Sequence, residues 1–272
     1  MRYCFYHESD YDGIVSGVLV KLKYPDTILK GINYGHSIDI DAIPKDCEVW
    51  FVDFCPEIGT LLTLVDKKFK VIVIDHHLPS FEKYDKLKNE TNIKWLLNVQ
   101  YSGCCLVSTK LFSKSSRFID LLSNYDTNGP KCVDEAMYLQ YGLDYYVPDV
   151  DSQLWPELMK DIAPTIKIGE YIAKFELAKN TQLLKWYGFR AELLGLKAFC
   201  INTTQRPGKL FWKQDMSEYD IQVVFKMNKK GAWLVNVASD KFDCNEICGK
   251  FGGGGHAGIG GFRANELPLV IR

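Results

Sequence analysis

Residues 75–77 read Asp75-His76-His77 and close a strongly apolar run, Val71-Ile72-Val73-Ile74. A carboxylate and two imidazoles at the tip of a buried strand are hard to account for as packing, because buried polar and charged groups need partners. The chain has five histidines, and four of them, His7, His76, His77 and His256, stand in motif-like settings. His7 opens a second cluster, His7-Glu8-Ser9-Asp10-Tyr11-Asp12-Gly13, again directly after an apolar strand. Carboxylates and imidazoles are hard and borderline metal ligands. Two such clusters at two strand ends point to a metal centre built across one sheet.

Each further candidate has a plain alternative. Asp10 or Asp12 would serve as N-cap of the following helix, although both together with His7 exceed what capping requires. Asp53 ends the run Val49-Trp50-Phe51-Val52 and could simply cap a loop; beside two other strand ends, one carboxylate can also bridge two metal ions. Asp126 follows a helical segment and reads in isolation as a residue of its C-terminal turn. The run Gly252-Gly253-Gly254-Gly255-His256 is either a hinge or a place where backbone amides approach an anionic ligand closely, with His256 donating to a phosphoryl oxygen. His36 reads as a surface residue, and the aromatic stretches around Trp186 and Trp212 read as packing.

The elements that must position these residues alternate over the first 80 positions. Strands are expected at residues 2–7, 27–32, 48–53 and 70–75, and helices at 12–23 and 56–67. The first helix has Ile14, Val18 and Leu22 on one face. This alternation implies a parallel sheet covered by helices. A strand over 92–99 is followed by helices at 103–112 and 117–125 and by helical segments to about residue 190. The pattern then changes: strands at 196–201, 219–226 and 232–238, the last two joined by a hairpin turn at 227–231, a short helix over 243–250, the glycine run and a final strand. The expected fold is α/β, with a parallel-sheet domain and flanking helices over residues 1–190 and a smaller α/β domain with a mixed sheet over 191–272. A cleft between two domains is a common place for a ligand.

The 272 residues are 47% hydrophobic and 25% charged, with a net charge of -1, the profile of a globular protein. So small a net charge disfavours a grip on long duplex nucleic acid through many phosphates. The nine cysteines are odd in number, irregularly spaced and without a CxxC pair. They read as reduced thiols of a cytoplasmic protein, not as disulfides or a thiolate zinc site. No apolar run approaches membrane-spanning length, so no membrane partner is expected.

Taken together, the motifs resemble the DHH phosphoesterase family, and within it the DHH/DHHA1 subfamily of nanoRNase and oligoribonuclease-like phosphohydrolases. His7-x-x-Asp10-x-Asp12-Gly13 is similar to the first family motif, Asp53 to the second, Asp75-His76-His77 to the third and Tyr125-Asp126-Thr127 to the fourth. Gly252 to Gly255 with His256 resembles the glycine-histidine signature of DHHA1. One departure concerns the strand before the glycine run. Ala238 stands where the resemblance leads one to expect arginine, leaving Lys241 or Arg263 as substitutes for a phosphate anchor.

The resemblance implies a phosphohydrolase that uses two Mn²⁺ ions, with Mg²⁺ or Co²⁺ as alternatives. It implies that His7, Asp10 and Asp53 hold one ion and that Asp12, Asp53, His76 and Asp126 hold the other, Asp53 being shared and catalytic. Asp75 would orient a ligand. His77 would contact the scissile phosphate, and Gly253, Gly254, Gly255 and His256 would bind substrate. Two ions so placed activate water and stabilise a leaving oxygen. The implied substrates are short oligonucleotides or small nucleotides, and a homodimer is compatible with the sequence. The alternatives are a hydrolase of the inorganic pyrophosphatase kind and a non-catalytic nucleotide-binding regulatory protein.

Overall fold

The computed structural model describes residues 1–271. Two compact units are present. One comprises Met1–Thr127 with Leu139–Lys167, and the other Asn128–Tyr138 with Ile168–Arg272. The division at 167/168 falls earlier than the change of sequence pattern near residue 190.

The first unit is built on β1 (Arg2–His7), α1 (Tyr11–Lys23), β2 (Ile28–Ile32), β3 (Glu48–Val52), α2 (Ile58–Asp66), β4 (Lys70–Asp75), α3 (Leu78–Leu87) and β5 (Ile93–Leu97). The strands form one sheet in the order β2-β1-β3-β4-β5, and every pair in it is parallel. Parallel pairing needs a crossover long enough to return the chain to the same edge, which α1, α2 and α3 provide. A parallel sheet covered on both faces wants near-continuous apolar strands, and Val71, Val73 and Ile74 of β4 are fully buried. Phe5, Phe51, Leu61, Leu64, Val71 and Val73 share one core on one face of the sheet.

The helix α1 buries only part of the face expected of it. Val18 is buried, but Leu22 is 47% exposed, whereas Val15 and Val20 are fully buried. The reason is a pair of glycines. A Cβ on Gly13 would run into the backbone of His7, and one on Gly17 would press on the ring of Tyr6. Without side chains at these positions the helix settles directly on β1, with the face of residues 13, 17 and 20 inward.

Helices α4 (Gly103–Phe112), α5 (Arg117–Asn128), α6 (Asp134–Tyr146), α7 (Trp155–Lys160) and α8 (Ala163–Tyr187) follow, with a short 3-10 turn at Gly129–Lys131. The second unit adds β6 (Phe189–Leu193), β7 (Leu196–Asn202), α9 (Pro207–Leu210), β8 (Ile221–Met227), β9 (Trp233–Ala238), α10 (Cys244–Gly249), β10 (Gly254–Gly255), β11 (Ile259–Ala264) and β12 (Val270–Ile271). Its sheet runs β10-β11-β9-β8-β7-β6-β12 and is mixed, since β7 and β8 are parallel while β8 and β9 are antiparallel. The hairpin between β8 and β9 is held by Asn228, whose side-chain oxygen accepts from the N–H groups of Lys230 and Ala232. Val223, Val235, Val237, Cys244, Cys248 and Phe262 make the core between this sheet and α10. Trp212 is buried as expected, but Trp186 is 67% exposed and does not pack. All nine cysteines are free and buried. Among the described residues no helix is long and apolar enough to cross a membrane.

Candidate metal centre

Sheet register alone brings the first three candidates together. Tyr6 of β1 pairs with Val52 of β3, and Val52 pairs with Ile74 of β4. One residue further along each strand lie His7, Asp53 and Asp75, side by side at the carboxyl edge. Because β2 lies on one side of β1 and β3 on the other, this edge is a topological switch point, where ligands of open α/β sheets bind. The N–H of Asp53 still donates to the Ile74 carbonyl at 2.8 Å. Its φ of 54° then turns the chain into the left-handed region, which Asp tolerates better than most residues.

The side chains gather into two groups. In the first, His7 Nδ1 lies 3.3 Å from Asp10 Oδ2 and 3.6 Å from Asp53 Oδ2. In the second, His76 Nε2 lies 3.1 Å from Asp53 Oδ1, 3.5 Å from Asp126 Oδ2 and 3.6 Å from Asp12 Oδ2. Asp53 thus turns one oxygen to each group. His7 with Asp10 and Asp53, and Asp12 with His76 and Asp126, each place three donor atoms close enough to hold a metal ion. Asp126 belongs to the last turn of α5, not to a loop beyond it.

The donor set could hold a metal ion. Asp53 is 1% and His76 2% exposed, and four carboxylates, Asp10, Asp12, Asp53 and Asp126, crowd around two imidazoles. The buried Oδ1 of Asp53 and Nδ1 of His7 form no hydrogen bond of ordinary geometry despite these near neighbours. Burial, and then the charge of Asp12, push the carboxyls of Asp53 and Asp126 well above the usual carboxylate range. Burial works against protonation of His7, yet Asp10 and Asp53 outweigh it and raise the imidazole to about 11. Burial likewise opposes protonation of His76, and Asp126 and Asp12 override it. Every one of these shifts favours the protonated form. Displacing protons is what metal binding to such ligands does.

Asp75 plays a different part. It is fully buried and accepts from the N–H of His76 at 2.8 Å, from His77 Nδ1 at 2.7 Å and from the Ser80 hydroxyl. Burial alone would raise its pKa, but the adjacent His77 holds it below the ordinary value. The ring it orients is that of His77, which with Asp53, Asp75 and His76 makes a further group of donors close enough to hold a metal ion. His77 Nδ1 stands 4.0 Å from Asp53 Oδ1.

Two features escape a reading of the sequence, the place of Tyr34 and the partners of Asp12. Tyr34, in the loop after β2, sets its ring 5.6 Å from His7 and 5.9 Å from His77 and leans on Phe54 at 4.9 Å. Asp10, not Asp12, caps α1, accepting from the Gly13 N–H at 3.1 Å. Asp12 instead receives the N–H groups of Gly103 and Cys104 at 2.7 and 2.8 Å. No sequence signal marks these backbone donors. Tyr34 could have been suspected only as an aromatic residue in a strand-end loop.

In the second unit the glycine run is ordered hairpin, not hinge. Gly254 and Gly255 pair with Gly261 and Gly260, and His256 stands in the turn, its N–H donating to the Ile259 carbonyl at 2.8 Å. Three of these glycines are demanded by the fold. Gly252 has φ of 74°, a Cβ on Gly253 would lie 2.5 Å from that of Phe262, and Gly255, with φ of 149°, leaves a Cβ only 2.5 Å from the Gly260 Cα. Gly254 is freer, a Cβ there meeting only Asn245 Oδ1 at 3.3 Å. Ala238 is fully buried. Lys241 is committed elsewhere, its ammonium donating to the carbonyls of Ser217 at 2.7 Å and Tyr219 at 2.6 Å. Arg263 is exposed on β11, next in sequence to the inward Phe262.

No protein-family model matches this chain, and no curated protein does. Solved structures do. The chain is similar to the pGpG-specific phosphodiesterase PggH from Vibrio cholerae, at 13% identity with a TM-score of 0.50, covering 97% of this chain and 92% of that one. It is also similar to an uncharacterized protein from Helicobacter pylori G27, at 14% identity with a TM-score of 0.49, covering 98% of this chain and 94% of that one. At such identity the likeness to PggH concerns the fold.

Proposed function

We propose that this chain is a metal-dependent phosphohydrolase of the DHH phosphoesterase kind, acting on short oligonucleotides or small nucleotides. The observation that carries this reading is the position of Asp53, one oxygen 3.1 Å from His76 and the other 3.6 Å from His7. A shared carboxylate between two groups of donors suits a pair of ions acting on one phosphate. The shared fold adds a relative whose name is that of a phosphodiesterase acting on a linear dinucleotide.

Two Mn²⁺ ions, when bound, supply a nucleophile at neutral pH and stabilise charge on the phosphoryl oxygens. His7, Asp10 and Asp53 would hold one of them, and Asp12, Asp53, His76 and Asp126 the other. The chain's own residues do the rest. Asp75 accepts from Nδ1 of His77, fixing the proton on that nitrogen and leaving Nε2 as the atom to meet a phosphate oxygen. His77 would then stabilise developing charge as a positioned donor. Residues 1–190 would form the catalytic domain and residues 191–272 the substrate-binding one, with His256 and Gly254 the contacts of the latter. With Ala238 buried and Lys241 engaged, phosphate recognition in this domain would fall to His256, backbone amides and the exposed Arg263.

The test is a screen of the Mn²⁺-loaded protein against a linear dinucleotide, a cyclic dinucleotide, adenosine bisphosphate and pyrophosphate. Release of mononucleotides from the linear dinucleotide is the expected result. Preference for pyrophosphate would assign the chain to the pyrophosphatase alternative, and tight dinucleotide binding without turnover to a regulatory one.

A further inference from the structure

The N-terminal turn of α4 touches the surroundings of three of the four clustered carboxylates. Both oxygens of Asp12 are taken by consecutive backbone donors, Gly103 N–H at 2.7 Å and Cys104 N–H at 2.8 Å. Gly103 also lies against Asp53: a Cβ there would stand 2.5 Å from the Asp53 Cβ and 2.6 Å from its Oδ1. One residue earlier, Ser102 N–H donates to the Ser123 hydroxyl at 3.1 Å. Ser123 lies on α5, three residues before Asp126, and its carbonyl accepts from the Thr127 hydroxyl at 2.8 Å. Three successive residues of one helix start therefore fix Asp12 by hydrogen bonds, Asp53 by packing and the helix of Asp126 by a buried link.

We propose that residues 102–104 form a positioning clamp that sets the spacing of the carboxylates, with Gly103 required because no side chain fits between α4 and Asp53. The proposal rests on the reading of this cluster as a metal centre and goes beyond it, since these residues contribute no ligand themselves. Two features favour a clamp over ordinary packing. Free N–H groups at a helix N-terminus attract carboxylates, but here both go to a single acid about 90 residues away in the chain. The nearest atom an added methyl group would meet is also the Asp53 Cβ, whose place the backbone fixes, so rotation of the carboxylate cannot relieve the clash. Orienting residues of this kind typically change metal affinity roughly 10–100-fold when altered.

The experiment compares the full-length wild type with Gly103→Ala and Ser123→Ala. Mn²⁺ affinity is measured by titration calorimetry, and the fold by circular dichroism and thermal melting in chelator. For Gly103→Ala the expected result is a dissociation constant at least about tenfold weaker with native secondary structure retained. For Ser123→Ala it is a smaller weakening in the same direction. A merely structural role would lower the metal-free melting temperature without moving the affinity of the folded protein. Folded Gly103→Ala with wild-type Mn²⁺ affinity overturns the clamp. If Gly103→Ala does not fold, Ser123→Ala decides, and wild-type affinity there overturns it. Should the wild type itself bind no Mn²⁺, the functional reading falls together with the clamp; unaltered variants beside a binding wild type sink the clamp alone.

Discussion

Replacing Asp53 by asparagine separates the needs of the site from those of the fold. Asp53 faces both groups, so one substitution removes a charged donor from each. Losing a direct ligand costs at least the roughly 10–100-fold associated with altering an orienting partner, and it does so at both positions. Simultaneous occupancy should then fall by about 10²–10⁴, or roughly 3–5.5 kcal/mol at about 1.4 kcal/mol per tenfold, and Mn²⁺-dependent turnover should fall with it. The metal-free protein should respond in the opposite sense. The Asp53 carboxyl is raised by burial and by Asp12, and a carboxyl held above its unfolded pKa weakens the fold wherever it must ionise, a cost the amide does not carry. Each kcal/mol so regained lifts the melting temperature of a chain of this size by roughly 2–4 °C. Asparagine also tolerates the φ of 54°, whereas alanine there would add about 1–2 kcal/mol of strain. Thermal melting in chelator, Mn²⁺ titration and dinucleotide hydrolysis on Asp53→Asn and Asp53→Ala make the comparison. Near-normal turnover in Asp53→Asn, or a metal-free melting temperature below that of the wild type, would refute the reasoning.

Other outcomes follow from the same geometry. His76→Ala should lose bound Mn²⁺, while His77→Ala should retain most of it and lose turnover by about 10²–10³-fold, the usual cost of a charge-stabilising donor; metal stoichiometry on both variants decides, and reversed losses mean the pair is wrongly assigned. Mn²⁺ binding should tighten as pH rises, because Asp53, Asp126 and His7 are all raised and their protons must leave first. For the metal-free protein the sign is opposite: groups with raised folded pKa values give stability that is lost as pH climbs, for His7 between its unfolded value of 6.5 and about 11. Calorimetry and melting curves across that range check both, and pH-independent binding contradicts the protonated cluster. His256→Ala should keep its metal content and raise KM for a dinucleotide; an unchanged kcat/KM removes His256 from substrate binding.

Much of the architecture follows from signals local enough to read in the chain. Short runs of β-branched and aromatic residues ended by polar residues mark β3 and β4, and the turn Asn228-Lys229-Lys230-Gly231 marks the β8–β9 hairpin, because strand burial and turn chemistry act over a few neighbouring residues. The buried face of α1 is legible only in part. Periodicity finds Val18 but equally favours Ile14 and Leu22, whereas contact with β1 is set by Gly13 and Gly17, and glycine carries no hydropathic mark. Helix α3 escapes for a related reason, with only Ser80 and Leu87 buried among its ten residues. Its apolar stripe is too thin to show a period, and Pro79 in its first turn reads equally well as a loop.

The candidate site divides along the same line. The donors at the strand ends announce themselves as a set, because they follow apolar strands whose parallel register aligns those ends, whereas Asp126, on the last turn of α5, does not. What holds them does not. Asp12 shows why: the choice posed by its sequence is between capping α1 and binding metal, and Asp10 takes the cap. Asp12 accepts instead from two main-chain N–H groups on α4. Every residue but proline has such a group, so its use is decided wholly by tertiary placement. The identity of Gly103 is the one trace this contact leaves in the chain, and a single glycine opening a helical segment has many explanations. A second shell made of backbone amides can therefore be strict in geometry while remaining silent in sequence.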